Sequence, residues 1–306
     1  MSKKYYRIDI PFKIILTYLI KIFIFMIRLV VKYYKTVLTH LTLIFLSVIT
    51  LYPVLWVFKM AFSPTQGFST SLKGDYTLNN FITLFTITDS ENNLLMIRQF
   101  WNSIFVSVIS AFIGLVLATS AAYAFSRFEF KGKKSGMSAM LITQMFPGVL
   151  VIIPLYLILD NIGLLNSLWG LILVYSTTTV PFSIFMLKGY FDTIPREIEE
   201  AAIMDGAGQF TIFIKIILPL SRPALAITGL FSFMTAWNEF ILAATFMGKE
   251  KYYTVPVMLQ SFVGAFNTQW GLFAAGSIIV SLPVVILFLY VQKHLVGGLT
   301  AGGIKG

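Results

Sequence analysis

The 306-residue chain has no cysteine and only two histidines, His40 and His294. Without cysteine it forms no disulfide and carries no thiol chemistry. Two histidines so far apart in the sequence make a histidine-based metal or catalytic cluster implausible. Charged residues are also scarce, at 12% of the chain against 57% hydrophobic residues. Soluble domains carry about 25% charged residues, so the composition indicates an integral membrane protein.

The sequence also lacks a phosphate-binding loop. The nearest match, Gly132-Lys133-Lys134-Ser135, has no upstream glycine at the spacing that such a loop requires. We therefore expect no ATP, metal or other cofactor on this chain. The formal net charge of +10 would suggest nucleic acid in a soluble protein, but in a membrane protein it indicates orientation toward anionic lipid, and no nucleic-acid partner is predicted.

Six apolar runs reach the length of about 20 residues that a membrane-spanning helix needs. They cover residues 37–58, 102–125, 137–159, 168–187, 224–247 and 272–292. Pro147, Pro154 and Pro181 are expected to kink or interrupt these helices. If the N-terminus lies inside, the inner segments hold 18 of the Lys and Arg residues and the outer segments hold 5. The positive-inside rule then places both termini in the cytoplasm of a bacterial-type cell, whose cytoplasmic membrane the chain crosses several times.

Residues 1–36 combine apolar and basic side chains. Lys13, Lys21, Arg28, Lys32 and Lys35 share an arc of roughly 100° when plotted at about 100° per residue. A spanning helix would bury Lys21 near the bilayer centre, at a cost of about 2.5–3.5 kcal/mol or more. The pattern therefore favours an amphipathic helix in the cytoplasmic interface over a seventh span.

A polar segment, residues 193–222, separates the fourth and fifth runs. Pro195 suits the first turn of a helix, and the acidic residues after it favour the positive end of the helix dipole. Gly206 and Gly208 end that helix, and a second short amphipathic stretch follows until Pro219. The segment is therefore predicted to form two short helices joined at a glycine, outside the bilayer.

This segment resembles the EAA loop through which membrane subunits of ABC importers dock onto their ATPase. The matching residues are Glu200, Ala201, Ala202, Gly206, Ile216, Leu218 and Pro219. The resemblance implies that Glu200, Ala201, Ala202, Asp205, Gly206 and Ala207 contact the ATPase, and that Ile216, Leu218 and Pro219 set the second short helix. It also implies an all-α, six-span type I importer permease (MetI-like) over residues 37–292.

The C-terminal tail, residues 293–306, is rich in glycine. With the EAA loop, it closely resembles the end of MalG-type permease subunits of maltose importers, where the tail reaches between two ATPase subunits. The residues carried over to that interface are Gly297, Gly298, Thr300, Gly302 and Gly303. The family implies several partners: a second, MalF-like permease subunit, an ATPase dimer that binds ATP and magnesium, and an extracytoplasmic sugar-binding protein. The outer connector 63–98 is equally consistent with meeting that protein and with a plain connector.

Glu239 is the only acidic residue inside a predicted span. Intramembrane ionisable residues usually face a bundle interior or a water-filled path, so Glu239, with Asn238 and Trp237, is a candidate for the translocation pathway. Aromatic faces stack on sugar rings, and amides hydrogen-bond to hydroxyl groups. Gln144 is a weaker candidate of the same kind. The alternative is that Glu239 anchors one helix to another or to a partner subunit.

The sequence thus predicts a transmembrane permease subunit of an ATP-driven importer of maltose, maltodextrin or another oligosaccharide, which is not itself an enzyme. One alternative is a permease subunit for another small solute. An ion-coupled secondary transporter would normally show inverted repeats and several intramembrane acids, whereas this chain has one acid and no obvious repeat. A scaffold subunit without a pathway of its own is the remaining alternative.

Overall fold

The computed structural model describes residues 12–64, 75–89, 91–264 and 267–302, and this part of the chain is almost entirely helical. The α-helices are α1 (Phe12–Ala61), α2 (Asn79–Thr86), α3 (Leu95–Arg127), α4 (Lys133–Met145), α5 (Ile152–Asn161), α6 (Leu168–Phe191), α7 (Arg196–Met204), α8 (Gln209–Ile212), α9 (Leu218–Leu220), α10 (Arg222–Trp237), α11 (Ile241–Phe246), α12 (Val255–Ser261) and α13 (Trp270–Gly302). Shorter 3₁₀ turns cover Gly148–Val151 and Glu250–Tyr252, and a π-helical turn covers Phe213–Ile217. The chain divides into two compact units, Met1–Trp56 and Val57–Gly306.

The described part of the first unit is the portion of the long helix α1 up to Trp56. At 50 residues and about 1.5 Å per residue, α1 is about 75 Å long, more than twice the thickness of a bilayer's hydrocarbon core. Its described side chains between residues 21 and 55 are exposed, and most are apolar. No break separates residues 12–36 from the first predicted span. Interfacial placement of this segment stays a prediction, and residues 1–11 lie outside the described residues.

In the second unit, α3 occupies the centre. It packs most extensively against α6 and next against α10, while α13 packs on α10 and α2. Gly114 permits the closest approach between α3 and α6, because a Cβ at this position would lie 2.7 Å from Thr179 Oγ1. Small residues allow helices to pack at such short distances in membranes. Gly114 therefore lies on the surface of α3 that meets α6.

Four described helices are long and apolar enough to cross a membrane, and the number rises to six if each of two bent helix pairs counts as one span. One such pair is α4 and the Gly148–Asn161 helix, which meet at 98°. The span predicted over 137–159 is therefore broken, and the interruption expected at Pro147 is present. The chain leaves the helix at Phe146, in an extended conformation, because a residue before proline is driven out of the helical region.

Pro154 and Pro181 do not interrupt α5 and α6, whereas the predicted span 224–247 is interrupted. α6 runs without a break through Pro181, and Pro154 lies in the first turn of α5, where proline is tolerated. The predicted span 224–247 begins as α10 but stops being helical after Trp237, and helix resumes only at Ile241. This interruption at Asn238–Phe240 positions the intramembrane acid.

Candidate functional site

The predicted EAA segment folds as a helical hairpin whose turn is built around Gly206. The N–H of Gly206 donates to Ile203 O, and the N–H of Ala207 donates to Ala202 O, each at 2.9 Å. These two bonds form a Schellman motif, which requires a left-handed residue in the position that Gly206 takes with φ +84°. The predicted helix–glycine–helix arrangement is present in the structure, with the hairpin comprising α7, α8, the π turn and α9.

The predicted coupling residues divide between the two faces of this hairpin. Glu200, Ala201, Asp205, Gly206 and Pro219 are exposed. The others are half-buried: Ala202, Ala207, Ile216 and Leu218. Of these, Ala202, Ala207 and Ile216 pack against the core cluster that contains Ile212 and Ile217. The exposed face is therefore free for a partner, and the inward face attaches the hairpin to its own subunit.

Two apolar side chains project from the hairpin and were not singled out from the sequence. Met204, at the end of α7, is 87% exposed, and Phe210, at the start of α8, is 78% exposed. They flank the Gly206 turn on its two sides. In the sequence, Met204 and Phe210 fall in an apolar pattern that is typical of buried core residues. Only their position next to a glycine turn distinguishes them from such residues. Exposed apolar patches of this kind mark interaction sites.

The residue that anchors the hairpin is Glu199, the neighbour of the predicted Glu200. Arg127 Nε donates to Glu199 Oε1 at 2.5 Å, and the Tyr123 hydroxyl donates to Glu199 Oε2 at 3.0 Å. Arg127 Nη2 also donates to Ile194 O at 3.0 Å. The charged side chains of Arg127 and Glu199 are only 7% and 10% exposed. Removing one partner of such a buried pair costs about 3–5 kcal/mol, so this contact fixes α7 firmly to the end of α3.

A second polar contact supports the same junction. Asp192, just after α6, accepts a hydrogen bond from Lys188 Nζ at 2.6 Å and one from Ser126 Oγ at 2.7 Å. Partial burial raises the pKa of Asp192, but the hydrogen bonds from Lys188 and Ser126 outweigh it and leave the pKa below its usual value. The carboxylate therefore stays ionised at neutral pH and links the ends of α3 and α6.

Glu239 lies at the interruption between α10 and α11. Its Oε1 accepts from the N–H of Leu242 at 2.8 Å, and its Oε2 accepts from the N–H of Ala243 at 3.1 Å and from the Tyr175 hydroxyl at 2.5 Å. The side chain thus satisfies the free backbone donors at the start of α11. It also joins this break to α6, where Tyr175 is buried.

The neighbours of Glu239 have different surroundings. Trp237 is 1% exposed and stacks on Phe233 at 5.5 Å between ring centroids, with Phe100 edge-on at 5.9 Å. Its ring faces are therefore occupied by its own subunit. Asn238 is exposed, and its Nδ2 donates to Met234 O at 2.9 Å. The structure thus brings Trp237 into the core and leaves Asn238 accessible.

Gln144 does not join Glu239 but lines a separate cavity of about 290 Å³ between α4, α6 and α10. The lining consists of Gln144, Thr178, Thr179, Phe182, Phe231, Ser232 and Thr235. Phe182 and Phe231 meet edge to face at 6.2 Å. Hydroxyl groups beside aromatic rings suit a ligand that has both hydrogen-bonding groups and an apolar face. Only Gln144 was expected here, because isolated hydroxyl residues in apolar helices give no clear sequence signal.

The predicted tail residues lie at the end of α13. The helix continues through Gly297, Gly298 and Thr300 to Gly302, whereas Gly303 lies outside the described residues. The role of these residues at an ATPase interface stays a prediction. Within the described ranges, no group of three or more His, Cys, Asp or Glu side chains is placed to hold a metal ion.

A helical bundle with two broken spans, joined to a projecting helical hairpin, defines a multi-pass membrane permease. The chain belongs to the family described as binding-protein-dependent transport system inner membrane component, which matches residues 110–299. It is similar to the galactooligosaccharides transport system permease protein GanQ of Bacillus subtilis, with 36% identity over 90% of this chain and 97% of that protein. It is also similar to the maltodextrin transport system permease protein MdxG of Bacillus subtilis, with 36% identity over 88% of this chain and 95% of the relative.

Solved structures give the same result for the fold. A chain of a bacterial ABC transporter involved in the import of the acidic polysaccharide alginate aligns with a TM-score of 0.70 and 25% identity, over 84% of this chain and 95% of that one. A chain of the inward-facing MetNI methionine ABC transporter aligns with a TM-score of 0.55 and 16% identity, over 67% of this chain and 97% of that one. The predicted all-α, MetI-like permease fold is therefore confirmed, as is the resemblance to MalG-type permeases.

Proposed function

We propose that this chain forms half of the translocation pathway of an ATP-driven carbohydrate importer and couples to a separate ATPase through residues 193–222. The observation that carries this proposal is the hairpin at Gly206. It presents Met204 and Phe210 to a partner on one side and is fixed to the transmembrane bundle by Glu199 and Arg127 on the other. A docking element that was only loosely attached could not pass on a partner's movement.

The coupling residues have separate proposed roles. Glu200, Ala201, Asp205 and Gly206, with the two apolar tips, contact the ATPase, because they lie on the exposed face. Ala202, Ala207 and Ile216 hold the hairpin against the bundle, and Leu218 and Pro219 set the short helix that leads into α10. ATP and magnesium bind to the ATPase, so the hydrolytic step belongs to that partner and not to this permease.

The distribution of basic residues supports an orientation with both termini and the hairpin in the cytoplasm. The complex then has a second, MalF-like permease subunit, an ATPase dimer, and a sugar-binding protein on the opposite side of the membrane. In this proposal, the end of α13, with Gly297, Gly298, Thr300 and Gly302, makes a further contact with the ATPase dimer. Alternating access follows when closure of the ATPase dimer shifts the hairpins and reorients the spans.

Carbohydrate is the proposed substrate class for two reasons. Three of the four similar proteins named above serve galactooligosaccharides, maltodextrin and alginate, and the fourth, a methionine transporter, is only 16% identical. The cavity beside Gln144 also combines hydroxyl groups with exposed Phe182 and Phe231. Gln144 and Asn238 are proposed to face the pathway. Glu239 and Trp237 are proposed to shape its wall from behind, because their hydrogen bonds and ring faces are used within the subunit.

The test is purification of the tagged chain from its native membrane, followed by identification of its partners and reconstitution in vesicles. We expect an ATPase and a second permease to co-purify, and ATP-dependent uptake of labelled maltodextrin or galactooligosaccharide when the binding protein is added. Methionine serves as the control solute. A chain that purifies alone or as a homo-oligomer, or a complex that takes up methionine instead of oligosaccharide, would contradict the proposal.

A further inference from the structure

α3 is joined by buried polar contacts at both of its ends. It has 33 residues, and at about 1.5 Å per residue it is about 50 Å long, enough to cross the membrane and both interfaces. At the hairpin end, Arg127 binds the Glu199 carboxylate and Ile194 O. A planar guanidinium holds both partners in a fixed geometry, so α7 and the end of α3 move together.

At the opposite end, three residues of α3 hold the segment Glu250–Val255. Gln99 Nε2 donates to Glu250 O at 2.9 Å, and Asn102 Nδ2 donates to Lys251 O at 2.9 Å and to Tyr253 O at 3.0 Å. The N–H of Val255 donates to Ser103 Oγ at 2.7 Å. The three side chains follow the spacing i, i+3, i+4 and so share one face of the helix.

These contacts involve only the main chain of the held segment. Lys251 Nζ lies 5.3 Å from the ring centre of Tyr252, and Glu250 is exposed, whereas Val255 is fully buried. The segment lies in the connector that the charge distribution places outside the membrane, on the face where a binding protein approaches. Its position is therefore fixed to α3, and the exposed side chain of Glu250 is accessible to a partner.

Between its ends, α3 is packed too tightly to bend independently of its neighbours. Gly114 lies directly against Thr179, and Ser110 Oγ donates to Ile172 O at 3.4 Å. Thr179 also lines the cavity beside Gln144. Because packed interiors have low compressibility and transmit displacement, a shift of α3 also moves the α6 wall of that cavity.

We infer that α3 is the mechanical link of this subunit between the outer segment Glu250–Val255 and the cytoplasmic hairpin. Asn102 acts as the positioning residue at one joint, and the Arg127–Glu199 pair forms the other. The inference rests on the proposed importer function and adds a path by which arrival of a loaded binding protein on one face is communicated to the ATPase on the other. Coupling between two distant sites requires one structural element that both sites influence. Here the outer segment and the hairpin are both attached to α3.

The test uses the reconstituted complex and measures ATP hydrolysis with and without loaded binding protein. Asn102→Leu keeps the side-chain size but removes both donors. Because coupling between sites is commonly about 5- to 150-fold, we expect about a tenfold loss of the stimulation by binding protein, with basal hydrolysis unchanged. The control is Ser120→Ala, an exposed position of α3 whose hydroxyl bonds only to Val116 O of its own helix.

The inner joint is tested with Arg127→Gln and the conservative Arg127→Lys. The first should lose stimulation to the same degree, and the second should recover part of it, because the charge opposite Glu199 is kept. A purely structural role would instead lower basal hydrolysis, stimulation and yield together. Equal stimulation in wild type and Asn102→Leu would overturn the α3 inference alone, whereas a wild-type complex without ATP hydrolysis would overturn the proposed function as well.

A second measurement reports movement directly. The chain has no cysteine, so Glu197→Cys in the exposed first turn of α7 gives a single labelling site. Its labelling rate should change when loaded binding protein is added to the otherwise wild-type complex and stay constant when Asn102→Leu is also present. A change of the same size in both backgrounds would show that the signal bypasses α3.

Discussion

The hydroxyl of Tyr175 on α6 donates to Glu239 Oε2 at the break between α10 and α11. This bond joins two spans at the point where one of them is not helical, and the same carboxylate also accepts two backbone N–H groups. An acidic side chain within the membrane here accepts hydrogen bonds from backbone donors that lipid could not satisfy. The arrangement gives a direct test of how the subunit uses this acid.

Replacing Glu239 by Gln should destabilise the subunit. An amide has only one acceptor oxygen, so it cannot serve the donors of Tyr175, Leu242 and Ala243 together. An unsatisfied buried donor costs about 1–3 kcal/mol, which should appear as a lower melting temperature of the purified complex. Tyr175→Phe is the control that removes one bond and should cost less. Unchanged melting with lost uptake would instead assign Glu239 to solute contact.

Replacing Gly206 by Val should uncouple ATP hydrolysis from uptake while the subunit remains inserted. The left-handed conformation at φ +84° costs about 1–3 kcal/mol for a residue with a side chain, so the hairpin turn should open. No atom lies within 4 Å of a Cβ at this position, so the effect comes from the backbone alone. The readout is labelled-sugar uptake per ATP hydrolysed.

Two further variants separate that backbone effect from side-chain size. Gly206→Asn should retain part of the coupling, because asparagine tolerates the left-handed region better than valine. Gly208→Ala should behave like wild type, since its φ is −75° and a Cβ there meets open space. Loss of coupling in Gly208→Ala equal to that in Gly206→Val would contradict the turn explanation.

Replacing Met204 and Phe210 together by Ser should weaken the ATPase contact. These exposed side chains are the large apolar groups on either side of the hairpin turn, and such residues carry much of the energy of an interface. We expect a loss of affinity of about 30-fold or more, from the loss of about 1–2 kcal/mol at each of the two residues, measured by ATPase retention on immobilised subunit. Phe130→Ala, at an exposed aromatic outside the hairpin, is the control and should retain the ATPase.

Replacing Gln144 by Leu should lower sugar uptake without lowering the ATPase response to binding protein. The change removes an amide from the cavity between α4, α6 and α10 but leaves both joints of α3 intact. One hydrogen bond contributes about 0.5–1.5 kcal/mol, so we expect a several-fold higher half-saturation concentration. An unaltered concentration dependence would place the solute path elsewhere.

The sequence was sufficient for the parts of the fold that depend on local signals. Apolar runs located the spans, and Pro195, Gly206 and Pro219 located the hairpin. The interruption at Asn238–Phe240 was missed, because the apolar pattern continues on both sides and only the contact with Tyr175 shows what stabilises it. Continuity of α1 through residue 36 was also missed, because basic side chains alone do not end a helix.

A second limit of prediction from the sequence concerns the choice between two adjacent acidic residues. Glu199 and Glu200 have the same chemistry, and the family pattern drew attention to Glu200. Which of them turns inward depends on the helical phase of α7 relative to Arg127, and that phase is set by tertiary contacts 72 residues apart in the chain. The hydroxyl residues lining the cavity were missed for a similar reason, because α4, α6 and α10 bring them together only in the folded bundle.

The attachment of Glu250–Val255 to α3 through main-chain atoms has a consequence for how such subunits can diversify. Gln99, Asn102 and Ser103 hold carbonyl and amide groups that every residue type except proline supplies in full. The hydrogen bonds to α3 therefore do not depend on the side chain of Glu250, the exposed residue of this segment. A permease built in this way can change that outer residue while the main-chain bonds to α3 are kept.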